Sequence, residues 1–526
     1  MNEIPETLPA FLAQYVNSVT PALLDRGRPV SFRALTDESR RVAQGLRGAG
    51  VQPGDCVALW LPNLPAWLAT FLACAQLGAI AVSVNTRFRS HELADILQRS
   101  RARMLVFWPE FKGIDFTGIL GACDPRALEH LKSIVAYGET GGQAPATMLG
   151  KSALSYQSLA GGAPLLESRA APEAGCAIFT TSGTTKAPKF VLHDQRTVIR
   201  HAVDVVKGFS IGPESTMLLA PPLCGVFGFC IAMAALAAGR PAVMSPAWNA
   251  DQAAKDIVAH RITHINATDE AAAQLLDIDG LSFSNVRFLG YAAFNPAQAD
   301  IVERADARGL KLVGLYGASE VQALFSRQDE NRPIGERMPA GGRPVSLATR
   351  VRARDPESGA ILPHGVPGEL EFFAPSSRMV GYYGNPDATA QAFSADGYYR
   401  SGDLGHTLAD GRFVFLTRMG DALRLGGFLV SPAEIEAAVQ EISAIAACQV
   451  VAIPRAEGLV AVAFVILQHG AAWDEAAVIA HVAGRLARYK VPRRVFPIDA
   501  FPVTPGANAT KIQKGKLRDM AEALLH

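Results

Sequence analysis

The stretch from Phe179 to Phe190 reads FTTSGTTKAPKF, five hydroxyl side chains around Gly183 followed by Lys186 and Lys189. Hydroxyls and loop amides donate hydrogen bonds and an ammonium adds a point charge, which together suit an anion. The apolar run CAIF before the loop reads as a strand, and VLHDQRTVI after it reads as a helix whose N-terminus would face that anion. A Walker A loop is excluded. G-x-x-x-x-G-K-[ST] needs a second glycine where Pro188 stands, five residues after Gly183. On residue chemistry alone, a phosphate loop and a solvated Ser/Thr turn are equal readings.

Other groups could act with this loop. Glu320 and Asp403 are carboxylates beside small residues, and the tail TKIQKGKLR carries Lys511, Lys514 and Lys516. Each also has a plain reading: Asp403 as a turn cap, Tyr316 as a core aromatic, the lysines as a solvated face. His193, close behind the loop, reads as structural, and so do Cys224 and Cys230.

The elements that must position these groups emerge from composition and pattern. A chain of 526 residues, 49% hydrophobic and 19% charged, can bury several cores and more than one domain. Fifty basic and 49 acidic residues leave a formal charge of +1, so no polyanion-binding field is present and nucleic acid is not expected as a partner. Seven scattered cysteines without a C-x-x-C pair suit free thiols in a reducing compartment rather than a zinc cage or disulfide frame. The acidic, proline-containing start MNEIPETLPAF is unlike a signal peptide, and a cytoplasmic location is expected. AWLATFLACAQLGAIAVSVN is nearly long enough to span a bilayer, but Gln76 and Gly78 divide it into a buried helix, a turn and a buried strand.

Short apolar runs such as CVALWLP, RMLVFW, PAVMSP, VRFLGY and LKLVGLY alternate with helical patterns such as SHELADILQRSRA and PAQADIVERADARG. That alternation predicts an α/β fold of parallel sheets covered by helices. After Val351 the strands come closely spaced, as in GELEFFAP, and predict a small barrel or antiparallel layer. A compact tail with helix, two strands and a second helix comes next, with a boundary near 418 to 421. The expected domains are 1–419 and 420–526.

The loop resembles the signature T-S-G-T-T-G-x-P-K-G of the adenylate-forming superfamily, through Thr181, Ser182, Gly183, Thr184, Thr185, Pro188 and Lys189. Further segments resemble its other motifs in order: LYGASE (Leu315 to Glu320), YYRSGDL (Tyr398 to Leu404), TRMGDALRLGGFLVSPAEIE (Thr417 to Glu436) and the tail from Tyr489. The resemblance spans nearly the whole chain, points to the acyl-CoA synthetase type, and implies a small, mobile C-terminal domain. It implies that ATP activates a carboxylic acid as an acyl-adenylate with pyrophosphate release, after which coenzyme A takes the acyl group. An anion meets a polyanion in the first step, so Mg2+, lysine and hydrogen-bond donors are required.

By that resemblance Thr181 to Thr185 and Lys189 cradle the phosphates, Glu320 holds Mg2+, Ser319 touches the α-phosphate, and Tyr316, with Gly317 and Ala318 beside it, meets adenine. Asp403 accepts the ribose hydroxyls with Arg418 assisting, and Lys511 bridges the carboxylate and the α-phosphate. In the thioester-forming pose Gly426, Gly427 and Phe428 swing towards the site. The acyl pocket is expected from Cys224, Gly225, Phe227, Gly290 to Phe294 with Ala292 and Ala293, and Gly317, Ala318 and Gln322. These small and apolar residues suit an aliphatic or aromatic monocarboxylate.

Departures from the family pattern are explicit. Lys186 and Phe190 replace loop glycines, Thr417 and Thr510 replace glycines before Arg418 and Lys511, Gly225 stands where a histidine or aromatic is usual, and Gly420 holds the pivot position of an aspartate. Two alternatives stay open: an acyl-AMP ligase that loads a carrier protein in trans, and a nucleotide-binding homologue without catalysis. A homodimer is also left open.

Overall fold

A computed structural model describes residues 4–139, 146–181, 188–293, 300–425, 428–455, 458–505 and 510–525. Among them, the chain forms the expected α/β fold, a large N-terminal domain of sheets and helices followed by a small C-terminal domain. Its first sheet has at its centre the strands Gly175–Thr180, Ile80–Ser83, Cys56–Trp60 and Met104–Phe107, all parallel. The apolar run that could have been mistaken for a membrane span is the helix Pro65–Leu77, which Gly78 ends at φ 71°, followed by the strand Ile80–Ser83. A helix apolar on all sides must be enclosed, and this one lies in the core between layers. No helix among the described residues is long and apolar enough to cross a membrane.

The second sheet runs parallel through Met217–Leu219, His264–Thr268, Phe288–Ala292 and Leu312–Ala318. There it changes direction. The strand Gln322–Arg327 returns antiparallel to Leu312–Ala318 after only three residues, and Gly341–Pro344, Phe413–Arg418, Tyr399–Thr407, Gly368–Phe373 and Arg350–Arg354 extend the antiparallel part. The closely spaced strands predicted after Val351 are thus an antiparallel layer hydrogen-bonded in continuity with the parallel sheet. Both sheets and the helices Gln195–Gly208 and Val226–Ala237 share one core, in which Trp67, Phe71, Phe179 and Phe229 form an aromatic cluster.

In the C-terminal part, Ile445–Arg455 and Gly458–Leu467 form an antiparallel pair, and the helix Glu475–Arg485 leads to Arg494–Pro497, parallel to the second of them. The helices Pro432–Gln440 and Lys514–Leu524 cover opposite faces, each over its own apolar cluster.

One buried charge fixes the layer that carries Asp403. Glu371 is fully buried in the strand beside Tyr399–Thr407, where its two oxygens accept from Arg352 Nε at 2.6 Å and Arg354 Nε at 3.0 Å. Removing one partner of such a group leaves the others uncompensated in low dielectric. Glu371→Leu is therefore expected to lower stability by about 3–5 kcal/mol, measured as a fall in the urea midpoint.

Candidate active site

Several candidate residues stand at or just after the carboxyl ends of parallel strands, where open α/β sheets hold ligands. Thr181 comes directly after Gly175–Thr180, Ala292 ends Phe288–Ala292, Ala318 ends Leu312–Ala318, and Cys224 and Gly225 lie shortly after Met217–Leu219.

The opening loop is closed at its base. Thr181 N donates to Lys189 O at 3.0 Å and Lys189 N to Thr181 Oγ1 at 3.3 Å, while Ser182, Gly183, Thr184, Thr185 and Lys186 lie outside the described residues. The segment after the loop is not the helix expected from its pattern. Phe190–Asp194 is a strand antiparallel to Gly175–Thr180, so the loop is the tip of a hairpin and the helix begins only at Gln195. Its N-terminus is already occupied by Asp194, whose carboxylate accepts from Thr197 N at 2.7 Å. The apolar run Phe190 to Leu192 can bury on a sheet, and that burial overrides the helical pattern downstream.

Phe190, in place of a glycine, is buried on this strand. Arg99 covers its ring with the guanidinium 4.3 Å from the centroid and donates to Pro188 O at 2.7 Å. The helix Ser90–Ser100 thereby holds the stem of the loop.

Beside the loop stem, Lys189 Nζ sits 4.5 Å from the centre of the Tyr382 ring, and the Tyr382 hydroxyl donates to Glu320 Oε1 at 2.9 Å. Ser319 is held through its carbonyl, which accepts from His193 Nε2 at 2.7 Å. His201 makes the same bond to Ala323 O, also at 2.7 Å. Both histidines are buried, and desolvation pulls each pKa down to about 4, so they are neutral donors at physiological pH.

Between those two anchors the backbone turns sharply. Gln322 has φ 64° and ψ 156°, a region ordinarily left to glycine, and Leu324 has φ 59°. The Gln322 amide is buried, donates to Thr197 O at 3.2 Å and lies above the Cys230 thiol. Gly317 cannot carry a side chain, since a Cβ there would meet Ala323 Cα at 2.6 Å.

A second cluster, where the resemblance expects the nucleoside, is built around Asp403. Its Oδ2 accepts from the Tyr316 hydroxyl at 2.5 Å. Its Oδ1 is buried, lies 2.7 Å from Arg418 Nη1 and has no aligned hydrogen-bond donor. A buried carboxylate oxygen with an open acceptor position fits a ribose hydroxyl. Tyr316 itself is enclosed by Phe325, Phe372, Phe413 and Phe415.

Of the residues expected to line the acyl pocket, Gly225 is the N-cap of the helix Val226–Ala237, Phe227 packs at the core margin, Ala292 is half-buried and Ala293 exposed. Desolvation pushes the Cys224 and Cys230 thiols up to about 12, so neither is a nucleophile at neutral pH. Lys511 lies on the strand Thr510–Ile512 opposite Thr504, but its side chain is outside the described residues, as are Gly426, Gly427 and the Phe428 side chain. Of its rivals, Lys514 pairs with Glu436 at 3.2 Å and Lys516 is exposed.

Sequence reasoning missed Tyr382, Arg99 and His201. Tyr382 and Tyr383 are indistinguishable as letters in GYYGNP, yet successive strand residues face opposite ways, and Tyr383 packs into the other core cluster.

Two family models match the chain, the AMP-binding enzyme over residues 13–383 and the AMP-binding enzyme C-terminal domain over 434–507. The chain belongs to the AMP-binding enzyme family. It is an adenylate-forming enzyme of the acyl-CoA synthetase type. A sulfoacetate–CoA ligase of Cupriavidus necator is 30% identical over 99% of this chain and 99% of its own length. A 3-hydroxybenzoate–CoA/4-hydroxybenzoate–CoA ligase of Thauera aromatica is 29% identical over 100% and 98%. Among solved structures, ATP-bound MatB of Rhodopseudomonas palustris has the same fold, with TM-score 0.85 at 24% identity over 99% of this chain and 100% of that one. The anthranilate CoA ligase AuaEII in complex with anthranoyl-AMP superposes with TM-score 0.81 at 26% identity, over 99% and 98%.

Burial raises the Asp403 pKa to about 6, against the opposing effects of Arg418 and the Tyr316 hydroxyl. With ionised Asp403 as the expected ribose acceptor, kcat/KM for ATP is expected to fall as pH drops through about 6. Tyr316→Phe removes a donor that favours the charged form, so the midpoint of that fall moves to higher pH in a pH–rate profile of the variant.

Proposed function

We propose that this acyl-CoA synthetase activates an aromatic or aliphatic monocarboxylate as its acyl-adenylate and transfers the acyl group to coenzyme A. The observation that carries this reading is the tied cluster of Lys189, Tyr382 and Glu320 beside Tyr316, Asp403 and Arg418. It offers a cation for phosphates, a carboxylate for a metal and an acceptor for ribose at one end of the sheets.

In this reading Asp403 and Arg418 hold the ribose, and the loop from Thr181 to Thr185 with Lys189 receives the β- and γ-phosphates. Ser319 faces the α-phosphate. No group of three or more metal-ligating side chains exists among the described residues. A single carboxylate at Glu320 fits Mg2+, which keeps waters and phosphate oxygens as its other ligands. When bound, Mg2+ supplies charge neutralisation at the phosphates. Lys511 follows the charge that develops between the carboxylate and the α-phosphate.

The monocarboxylate preference rests on Cys224, Gly225, Phe227, Ala292 and Ala293, none of which can pair a second anionic group. Relatives named for hydroxybenzoate and ferulate support an aromatic acid. Residues 420–526 form the domain that brings Lys511 to the first step and Gly426, Gly427 and Phe428 to the second. Gly420 serves as its pivot: a Cβ there would meet nothing within 4 Å, and the residue lies between the two matched segments.

Pyrophosphate release is to be measured across benzoates, hydroxycinnamates and fatty acids, with sulfoacetate and malonate as dianions. Monocarboxylates should lead by about 100-fold or more in kcat/KM, in line with an unpaired buried charge. A leading dianion would remove the proposed preference, and acyl-AMP without thioester on adding coenzyme A would favour a carrier-protein acceptor. Lys511→Ala should slow acyl-adenylate formation by about 10²–10³-fold. The same variant should convert supplied acyl-adenylate to thioester at close to the parental rate, and equal loss of both half-reactions would contradict the division.

A further inference from the structure

We propose that Tyr382 is a positioning residue that couples the phosphate lysine to the metal-binding carboxylate, through two separable parts of one side chain. The inference rests on the reading that Lys189 faces phosphate and Glu320 faces Mg2+.

The short strand Gly381–Tyr382 is fixed between both partners. It pairs with Phe190–Asp194, the returning strand of the loop hairpin, in the register Val191 to Tyr382 and Leu192 to Gly381. Flanking it, Val380 N donates to Leu192 O and Tyr383 N to Phe190 O, each at 2.8 Å. Met379 N donates to Glu320 O at 2.7 Å, so the same few residues tie the hairpin to the turn that carries the carboxylate. Tyr382 N is itself held by Thr389 Oγ1 at 2.8 Å, and a Cβ on Gly381 would strike Thr389 Cγ2 at 2.7 Å. The phenol ring is 6% exposed, leaving it little freedom to move.

From this fixed base the ring and hydroxyl perform different tasks. The hydroxyl, 2.9 Å from Glu320 Oε1, fixes the rotation of the carboxylate and leaves the second oxygen for a ligand. The ring face, with its negative quadrupole, holds the Lys189 ammonium at 4.5 Å. A carboxylate and an ammonium that serve the same polyphosphate are thereby held without pairing to each other.

Tyr382→Phe deletes the hydroxyl and keeps the ring, whereas Tyr382→Leu deletes both. Binding of a non-hydrolysable ATP analogue is to be measured by calorimetry with and without Mg2+, alongside pyrophosphate release as Mg2+ is varied. For Tyr382→Phe, half-saturation by Mg2+ should rise about 10-fold. Its metal-free analogue affinity and its KM for the acid should stay within about twofold. Tyr382→Leu should lose in addition about two- to fivefold in metal-free analogue affinity. The proposal is overturned if Tyr382→Phe leaves the Mg2+ dependence unchanged, or if it lowers metal-free binding and thermal stability together. Glu320→Gln is the separate control: unaltered Mg2+ dependence there would remove the reading of Glu320 itself, whatever Tyr382 does.

Discussion

The reversal between Leu312–Ala318 and Gln322–Arg327 is the constraint on which the site depends. Seven residues from Tyr316 to Gln322 carry the tyrosine that holds Asp403, the two residues proposed to meet the α-phosphate and Mg2+, and Gln322, expected in the acyl wall. Such density is available only where a parallel strand turns back on itself within a few residues. The turn puts Gln322 in backbone space that costs of order 1–3 kcal/mol for a side-chain-bearing residue. Three fixings hold it there, namely the His193 and His201 bonds to the carbonyls of Ser319 and Ala323 and the Gln322 amide bond to Thr197 O. All three come from or reach residues 193–201, the end of the hairpin's returning strand and the helix after it, so the hairpin and the turn are built on one support.

The sheets, the buried helix Pro65–Leu77 and the tail were legible because burial leaves a periodic record in sequence. The site was legible for another reason: Thr181 to Thr185, Tyr316 to Glu320, Asp403 and Lys511 stand in motifs whose order resembles a family. Neither source reveals what supports those motifs. His201, Tyr382 and Arg99 lie in stretches where helix and strand patterns explain the letters adequately, and their contacts reach a carbonyl, a carboxylate and a ring more than 60 residues away. The loop hairpin was misread as strand, loop and helix because an amphipathic pattern starting at Gln195 was extended backwards over Phe190 to Asp194.

Phe190 illustrates how a departure is absorbed. A glycine at that point would give the loop stem freedom, whereas phenylalanine anchors it in the cluster with Trp60 and Phe107 and calls for a cover on its open face. Arg99 gives that cover and also takes the Pro188 carbonyl, so one guanidinium satisfies an aromatic face and an otherwise orphaned acceptor. The stem is thereby fixed at both Pro188 and Phe190.

The same economy governs the chemistry. Both histidines beside the site are weak bases, with pKa pulled down to about 4 and Nε2 committed to carbonyls, and the nearby thiols are held protonated. An adenylation that needs no proton removed from its carboxylate substrate needs no general base, and what remains is to place charges without letting them cancel. Asp403 shows what that placement costs. Its pKa of about 6 against 3.8 means the folded chain binds the proton more readily than the unfolded one between those values. Stability from this group therefore falls as pH rises across that window, by about 3 kcal/mol in all. Arg418 and Tyr316 offset part of the burial, yet Oδ1 keeps an open acceptor position. In the proposed reading a ribose hydroxyl fills that position and supplies the donor that the free protein lacks.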